Sequence, residues 1–147
     1  MKFISTRNQA EPVTASRAIL EGIAPDGGLY APEFFPQFTV NDFSGEKNLS
    51  EIASKLLGRF FADDPLQREL AGICQSAFDF PVPVKKLDDG LSMLELFHGP
   101  TAAFKDFGAR FLALCVDKIA AQNPRTILVA TSGDTGGAVG CAFEHST

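Results

Sequence analysis

A lysine at the predicted start of a helix is the first candidate for chemistry in this sequence. It lies in the segment 98–106, HGPTAAFKD, where a Gly-Pro turn leads into a helix that begins near Lys105. A neutral lysine amine attacks carbonyl carbon and forms a Schiff base. The positive end of a helix and apolar neighbours such as Phe104 both favour that neutral form. The alternative is an ordinary solvated lysine in a first helical turn, since lysines are common on surfaces.

The second candidate is a glycine-rich turn at 131–137, TSGDTGG, between a predicted strand and a predicted helix. Glycines let the backbone approach a ligand closely, and free N–H groups at the start of a helix attract anions. With the hydroxyls of Ser132 and Thr135, the turn is suited to a carboxylate or a phosphate. It lacks the Lys-Ser or Lys-Thr of a P-loop and the glycine spacing of a dinucleotide site. A purely structural turn is the alternative.

Cysteine and histidine give no sign of a metal site. The three cysteines are few, odd in number and widely spaced, and each lies in a predicted helix: Cys74, Cys115 and Cys141. This pattern predicts reduced, apolar core residues. The two histidines, His98 and His145, form no cluster with them, so we expect no structural zinc.

Composition narrows the class of protein. The chain has 147 residues, of which 45% are hydrophobic and 21% charged, as in ordinary globular domains. Its 13 basic and 18 acidic residues give a net charge of −5, which argues against a nucleic-acid partner. No apolar run approaches the ~20 residues of a membrane helix, and the N-terminus has no signal-peptide pattern. We therefore expect a cytoplasmic protein with no membrane partner.

The elements that would position the two candidates fall into two halves. For the first half the pattern predicts an edge strand at 2–6, helices at 14–24 and 49–62, a loop at 29–45, and a helix capped by Asp64. The apolar stripe of 49–62 predicts that Leu56 and Phe60 are buried. The helix after Asp64 is predicted to have an inner face of apolar residues: Leu66, Leu70, Ile73, Cys74 and Ala77.

The second half alternates strands and helices. It predicts a hairpin of strands 82–87 and 91–97, a helix from about Asp106 to Gln122, a buried strand 126–131, and a helix 138–145. This order implies a parallel sheet with helices over its faces. We therefore expect an α/β fold, with a mostly helical subdomain at 1–81 and the start of a parallel-sheet domain at 82–147.

Taken together, the motifs resemble the threonine synthase family, whose members are pyridoxal-phosphate (PLP) enzymes of the tryptophan-synthase-β-like fold, fold type II. The matching segments are 5–7 (STR), 25–30 (PDGGLY), 98–106 and 131–136. The resemblance implies that 82–147 is the first part of a PLP-dependent domain. Because family chains are several hundred residues long, it also implies an N-terminal piece, with the PLP-phosphate loop expected later than Thr147.

The resemblance also implies site residues. Lys105 holds PLP covalently, Phe104 packs against the pyridine ring, and Asp134 lies near the cofactor hydroxyl. The substrate carboxylate is received by the glycine-rich turn, at Ser132, Gly133, Thr135 and Gly136. His98 and Thr101 lie near Lys105 in sequence, and a purely structural role for His98 is an open alternative.

The implied reaction converts O-phospho-L-homoserine and water to L-threonine and phosphate, which is the work of a PLP-dependent carbon–oxygen lyase in threonine biosynthesis. A related phospho-lyase and a non-catalytic anion-binding module are the alternatives. The isolated 147-residue chain is expected to be inactive, to lack PLP, and to self-associate through a strand edge beside 126–131.

Overall fold

The computed structural model describes residues 1–120 and 125–144, and within these ranges the chain forms five α-helices and four short strands. The helices are α1 Ala15–Glu21, α2 Leu49–Gly58, α3 Leu70–Ala77, α4 Lys105–Ile119 and α5 Asp134–Phe143. The strands are β1 Phe3–Ser5, β2 Tyr30–Pro32, β3 Val84–Asp88 and β4 Leu91–Leu94. Two 3-10 helices lie at Val40–Phe43 and Pro65–Arg68.

The core surrounds α3, which packs against α2 on one side and α4 on the other. Its apolar face is fully buried, as the sequence predicts: Leu70, Ile73, Cys74 and Ala77, with Leu66 just before it. The prediction that Leu56 and Phe60 are buried is wrong for Leu56, which is 39% exposed, and only partly right for Phe60, which is partly buried against the core. The Leu56 side chain lines an open apolar groove of about 570 Å³, while Phe61 beyond the helix end enters the core in its place.

A buried carboxylate fastens α1 to the core. Asp64 accepts hydrogen bonds from the Ser16 N–H at 2.8 Å, from the Ser16 hydroxyl, and from the Leu66 N–H at 2.9 Å. The predicted capping role of Asp64 is therefore confirmed, although the helix it caps is a 3-10 turn. Helix α1 is capped by Thr14, whose side chain accepts from the Arg17 N–H.

Both sheets in the described ranges are antiparallel pairs. Strand β1 pairs with β2, in register Phe3 with Pro32, and β2 lies in the segment predicted as a loop. The predicted hairpin is confirmed, since β3 pairs with β4 in register Val84 with Leu94. Gly90 turns between them with φ +81°, which glycine adopts without strain.

The predicted parallel sheet is wrong for the residues that the structure describes. Segment 126–131 forms no strand there, and Leu128 is 89% exposed. A strand needs a neighbour to satisfy its N–H and C=O groups, and the described chain offers 126–131 none. The structure is therefore a small α/β domain whose strands form two antiparallel sheets of two strands each. The division at residues 81 and 82 stays a prediction.

Helix α4 starts where the sequence predicts, whereas α5 starts earlier. Helix α4 begins at Lys105 as predicted, and its predicted end at Gln122 lies outside the described residues, as does His145. Helix α5 begins at Asp134, four residues earlier than predicted.

Burial raises the pKa of Cys74 to about 11 and that of Cys115 to about 12, as expected for core thiols. Cys141 is exposed, so its predicted burial is wrong.

No helix in residues 1–120 and 125–144 is long and apolar enough to cross a membrane. Over the same ranges, no group of three or more histidine, cysteine or acidic side chains is placed to hold a metal ion.

Candidate active site

Lys105 is the first residue of α4, directly after Phe104, which takes the N-cap position without a side-chain cap. The Lys105 amine lies 3.9 Å from the centre of the Phe104 ring, and that ring is 59% exposed. Among the described residues, the amine makes no hydrogen bond or ion pair. The structure thus brings together the two residues that the sequence singled out for cofactor binding, as a partly buried lysine whose amine lies against an exposed aromatic side chain.

The turn that leads into α4 is built around a buried carboxylate. Asp106 is 1% exposed and accepts hydrogen bonds from the Thr101 N–H at 3.0 Å and the Thr101 hydroxyl at 2.6 Å. A Cβ atom at Gly99 would collide with the same carboxylate. The Thr101 hydroxyl therefore binds the Asp106 carboxylate, and Gly99 leaves the space that this carboxylate fills. This role of Asp106 was not predicted from the sequence. The sequence feature that could have indicated this role is an acidic residue in the first turn of the predicted helix, five positions after a threonine.

His98 has a partner of its own. Its Nε2 lies 2.6 Å from Oε2 of Glu95, a buried carboxylate that also pairs with Lys85 at 2.8 Å. The His98 ring packs on Phe97, with ring centres 4.7 Å apart. The hydrogen bonds from Lys85 and then His98 lower the pKa of Glu95. The described contacts of His98 therefore match a structural loop histidine.

The glycine-rich turn lies at the N-terminus of α5 and faces solvent. Ser132, Gly133 and Asp134 are exposed, while Thr135 and Gly136 are partly buried. Gly133 takes the N-cap position with φ +153°, a backbone conformation that side chains disfavour, and its N–H donates to the Thr131 hydroxyl. No side chain of the described chain caps this helix. The first N–H groups of α5 are therefore accessible to an anion.

The lysine and the glycine-rich turn lie on helices that pack against each other. Both helices bury small side chains, which permits a close approach: Ala109 and Ala113 on α4, and Ala138 on α5. Within the described ranges, no hydrogen bond connects residues 132–136 to Lys105. The structure therefore joins the two motifs through a helix pair, with no hydrogen bond between them among the described residues.

The two motif segments near the N-terminus, 5–7 and 25–30, form one hydrogen-bonded cluster. The Ser5 hydroxyl donates to Asp26 at 2.7 Å, and the Gly28 N–H donates to the same oxygen at 2.9 Å. The Arg7 guanidinium donates to the Asp26 carbonyl at 2.8 Å. The hydrogen bonds from the Ser5 hydroxyl and then from the Gly28 N–H lower the pKa of Asp26. The STR and PDGG segments thus fasten β1 to the turn before β2.

Comparison with known proteins decides which family carries this arrangement. The family described as "Threonine synthase N terminus" matches residues 2–78, over half of the chain. The chain belongs to the threonine synthase family. It is 40% identical over 145 residues to threonine synthase from Escherichia coli (strain K12), and 41% identical over 145 residues to that from Serratia marcescens. Each comparison covers 97% of this chain and 34% of the relative.

Solved threonine synthases share the fold. The E. coli enzyme superposes with a TM-score of 0.89 at 39% identity, over 99% of this chain and 34% of that one. A PLP-bound threonine synthase from Brucella melitensis superposes with a TM-score of 0.90 at 38% identity, over 100% of this chain and 34% of that one. The chain therefore spans about a third of the length of these family members.

The residues at the start of α4 fit the cofactor bound by the Brucella relative. PLP offers an aldehyde to an amine and a flat pyridine ring to an apolar face. Lys105 supplies an amine with no ion pair among the described residues, and Phe104 supplies an exposed ring beside it. The Lys105 amine thus suits the aldehyde of PLP, and the Phe104 ring suits its pyridine ring.

Proposed function

We propose that this chain carries the PLP-linking lysine of a cytoplasmic threonine synthase, a carbon–oxygen lyase that converts O-phospho-L-homoserine and water to L-threonine and phosphate. The observation that supports it is the Lys105 amine over the Phe104 ring, in a chain 40% identical to E. coli threonine synthase. The proposal concerns an enzyme of the relatives' length, of which this chain spans about a third.

Lys105 would bind the aldehyde carbon of PLP covalently, with Phe104 against the pyridine ring. Bound PLP supplies an electron sink for the substrate carbons. With substrate in the site, the Lys105 amine would serve as the base at the reacting carbons. It then moves protons at Cα and Cβ of the substrate, which is general acid–base catalysis by a positioned amine. Phosphate would leave Cγ, the proton removed from Cβ would be balanced by one added to Cγ to form the methyl group, and water would add its hydroxyl to Cβ and give its proton to the departing phosphate.

The glycine-rich turn would hold the α-carboxylate of the substrate. The N–H groups at the start of α5 carry partial positive charge and lack a side-chain cap in the described chain. The backbone of Gly133 and Gly136 allows close approach, and the hydroxyls of Ser132 and Thr135 add donors. Asp134 would face the cofactor hydroxyl as an acceptor, because an ionised carboxylate has no proton to donate.

A hybrid enzyme tests this function. This chain replaces the matching segment of E. coli threonine synthase, and threonine and phosphate are measured with O-phospho-L-homoserine as substrate. We expect both products in equal amounts, and their loss in Lys105→Ala and in Lys105→Arg, whose guanidinium stays protonated. Lys118→Ala is the control, because Lys118 lies exposed at the far end of the same helix.

Two results would contradict the proposal. Normal turnover in the Lys105→Ala hybrid would remove the lysine from the mechanism. Release of phosphate without threonine would assign the residues to a phospho-lyase reaction instead.

A further inference from the structure

A strained residue precedes the lysine. Among the described residues, three that are not glycine have positive φ: Asn8 at +54°, Asp63 at +62° and Ala102 at +56°. Asparagine and aspartate adopt this conformation comparatively often, because their short side chains bond to the local backbone, whereas alanine gains nothing there. Ala102 lies three positions before Lys105. Such strain persists only where the surrounding structure imposes it, and it is concentrated at functional sites.

The contacts that impose this strain come from Asp106. Its carboxylate holds both the N–H and the hydroxyl of Thr101, and it fills the space that a side chain at Gly99 would need. The Ala102 N–H then donates to the Gly99 carbonyl at 3.1 Å, which closes the turn. Asp106 is buried, so these bonds are shielded from water and hold the turn firmly.

We propose that Asp106 is a positioning residue for Lys105. By holding the turn 99–102 in its strained form, it fixes the direction in which the chain enters α4, and so it keeps the Lys105 amine over the Phe104 ring. The meaning of that placement for PLP rests on the proposed function, whereas the placement itself can be measured without cofactor.

The direct test is the NMR spectrum of the 147-residue chain. Protons held over an aromatic ring resonate upfield, so the ε-methylene protons of Lys105 should be shifted upfield, and Phe104→Leu should abolish the shift and so assign it. Asp106→Ala should remove at least half of the shift. Asp106→Asn keeps one acceptor for Thr101 and should retain more of it. Asp117→Ala is the control, since it removes a carboxylate further along the same helix.

A second variant separates positioning from stability. Ala102→Gly relieves the strain but keeps the contacts of Asp106, so the melting temperature should stay the same or rise and the upfield shift of Lys105 should be retained. A purely structural role for the turn predicts that the shift stays intact wherever the fold is intact. Thr101→Val removes the hydroxyl bond to Asp106 and should decrease the shift, so it decides the matter if Asp106→Ala fails to fold.

An unchanged Lys105 shift in folded Asp106→Ala, or in folded Thr101→Val, would overturn the proposal. Its failure is distinguishable from that of the proposed function. An inactive hybrid enzyme with an Asp106-dependent shift would refute the function alone, while an active hybrid with an Asp106-independent shift would refute the positioning alone.

Discussion

Asp64 offers the sharpest test of how the helical half is held together. Its Oδ2 accepts from the Ser16 N–H, and its Oδ1 accepts from the Leu66 N–H and the Ser16 hydroxyl. Asp64→Asn keeps the shape of the side chain but replaces one oxygen with an NH₂ group. In either orientation of the amide, that group faces one of the two backbone N–H donors.

The cost follows from this geometry. The variant loses at least one hydrogen bond to a charged acceptor and leaves a buried N–H opposed by another donor, which together cost about 2–4 kcal/mol of unfolding free energy. A urea dependence of about 2 kcal/mol per molar converts this into a midpoint that falls by about 1–2 M.

Urea unfolding followed by circular dichroism measures the effect. Asp63→Asn is the matched control, because the neighbouring Asp63 is exposed and asparagine tolerates its positive φ. The reasoning is refuted if the two variants shift the midpoint equally, because buried hydrogen bonds to Asp64 would then contribute nothing measurable.

Three further outcomes follow from burial and charge. A thiol reagent at pH 8 should modify Cys141 rapidly in the native chain and leave both buried thiols unreacted until urea is added, as mass spectrometry would show. Leu70→Ala should cost about 2–5 kcal/mol in urea unfolding and Leu56→Ala less than half of that, since only the first side chain is enclosed. Because the pKa of Glu95 is lowered in the folded chain, its contribution to stability is complete above the unfolded pKa of about 4.3 and is lost as pH falls through the folded value. Unfolding measured from pH 7 to pH 3 should therefore be less pH-dependent in Glu95→Gln.

The helices of the first half were predicted well, because helix periodicity and capping depend on residues that are close in sequence. The face of α3 and the cap at Asp64 are examples. Burial in α2 was less predictable, since it depends on what covers the helix: Leu56 lies in the stripe but lines an open groove. Segment 126–131 has a strand composition but no strand neighbour within the described chain, and pairing cannot be read from one segment. The predicted self-association of the chain through this segment stays a prediction.

The candidate site was predictable where its residues are adjacent in sequence. Lys105 and Phe104 are neighbours, so a motif was enough to place the amine beside the ring. The role of Asp106 depends on a turn that brings it back onto Thr101, and the strain at Ala102 is visible only in the backbone angles. How residues 132–136 lie relative to Lys105 depends on the packing of α4 against α5, which no local pattern encodes.

The most direct test of the central claim is to identify which lysine holds the cofactor. The hybrid enzyme is loaded with PLP, reduced with borohydride to make the link permanent, digested, and mapped by mass spectrometry. We expect the pyridoxyl group on Lys105, and loss of that peptide label in Lys105→Ala. A stoichiometric label on any other lysine, with Lys105 unmodified, would contradict the account.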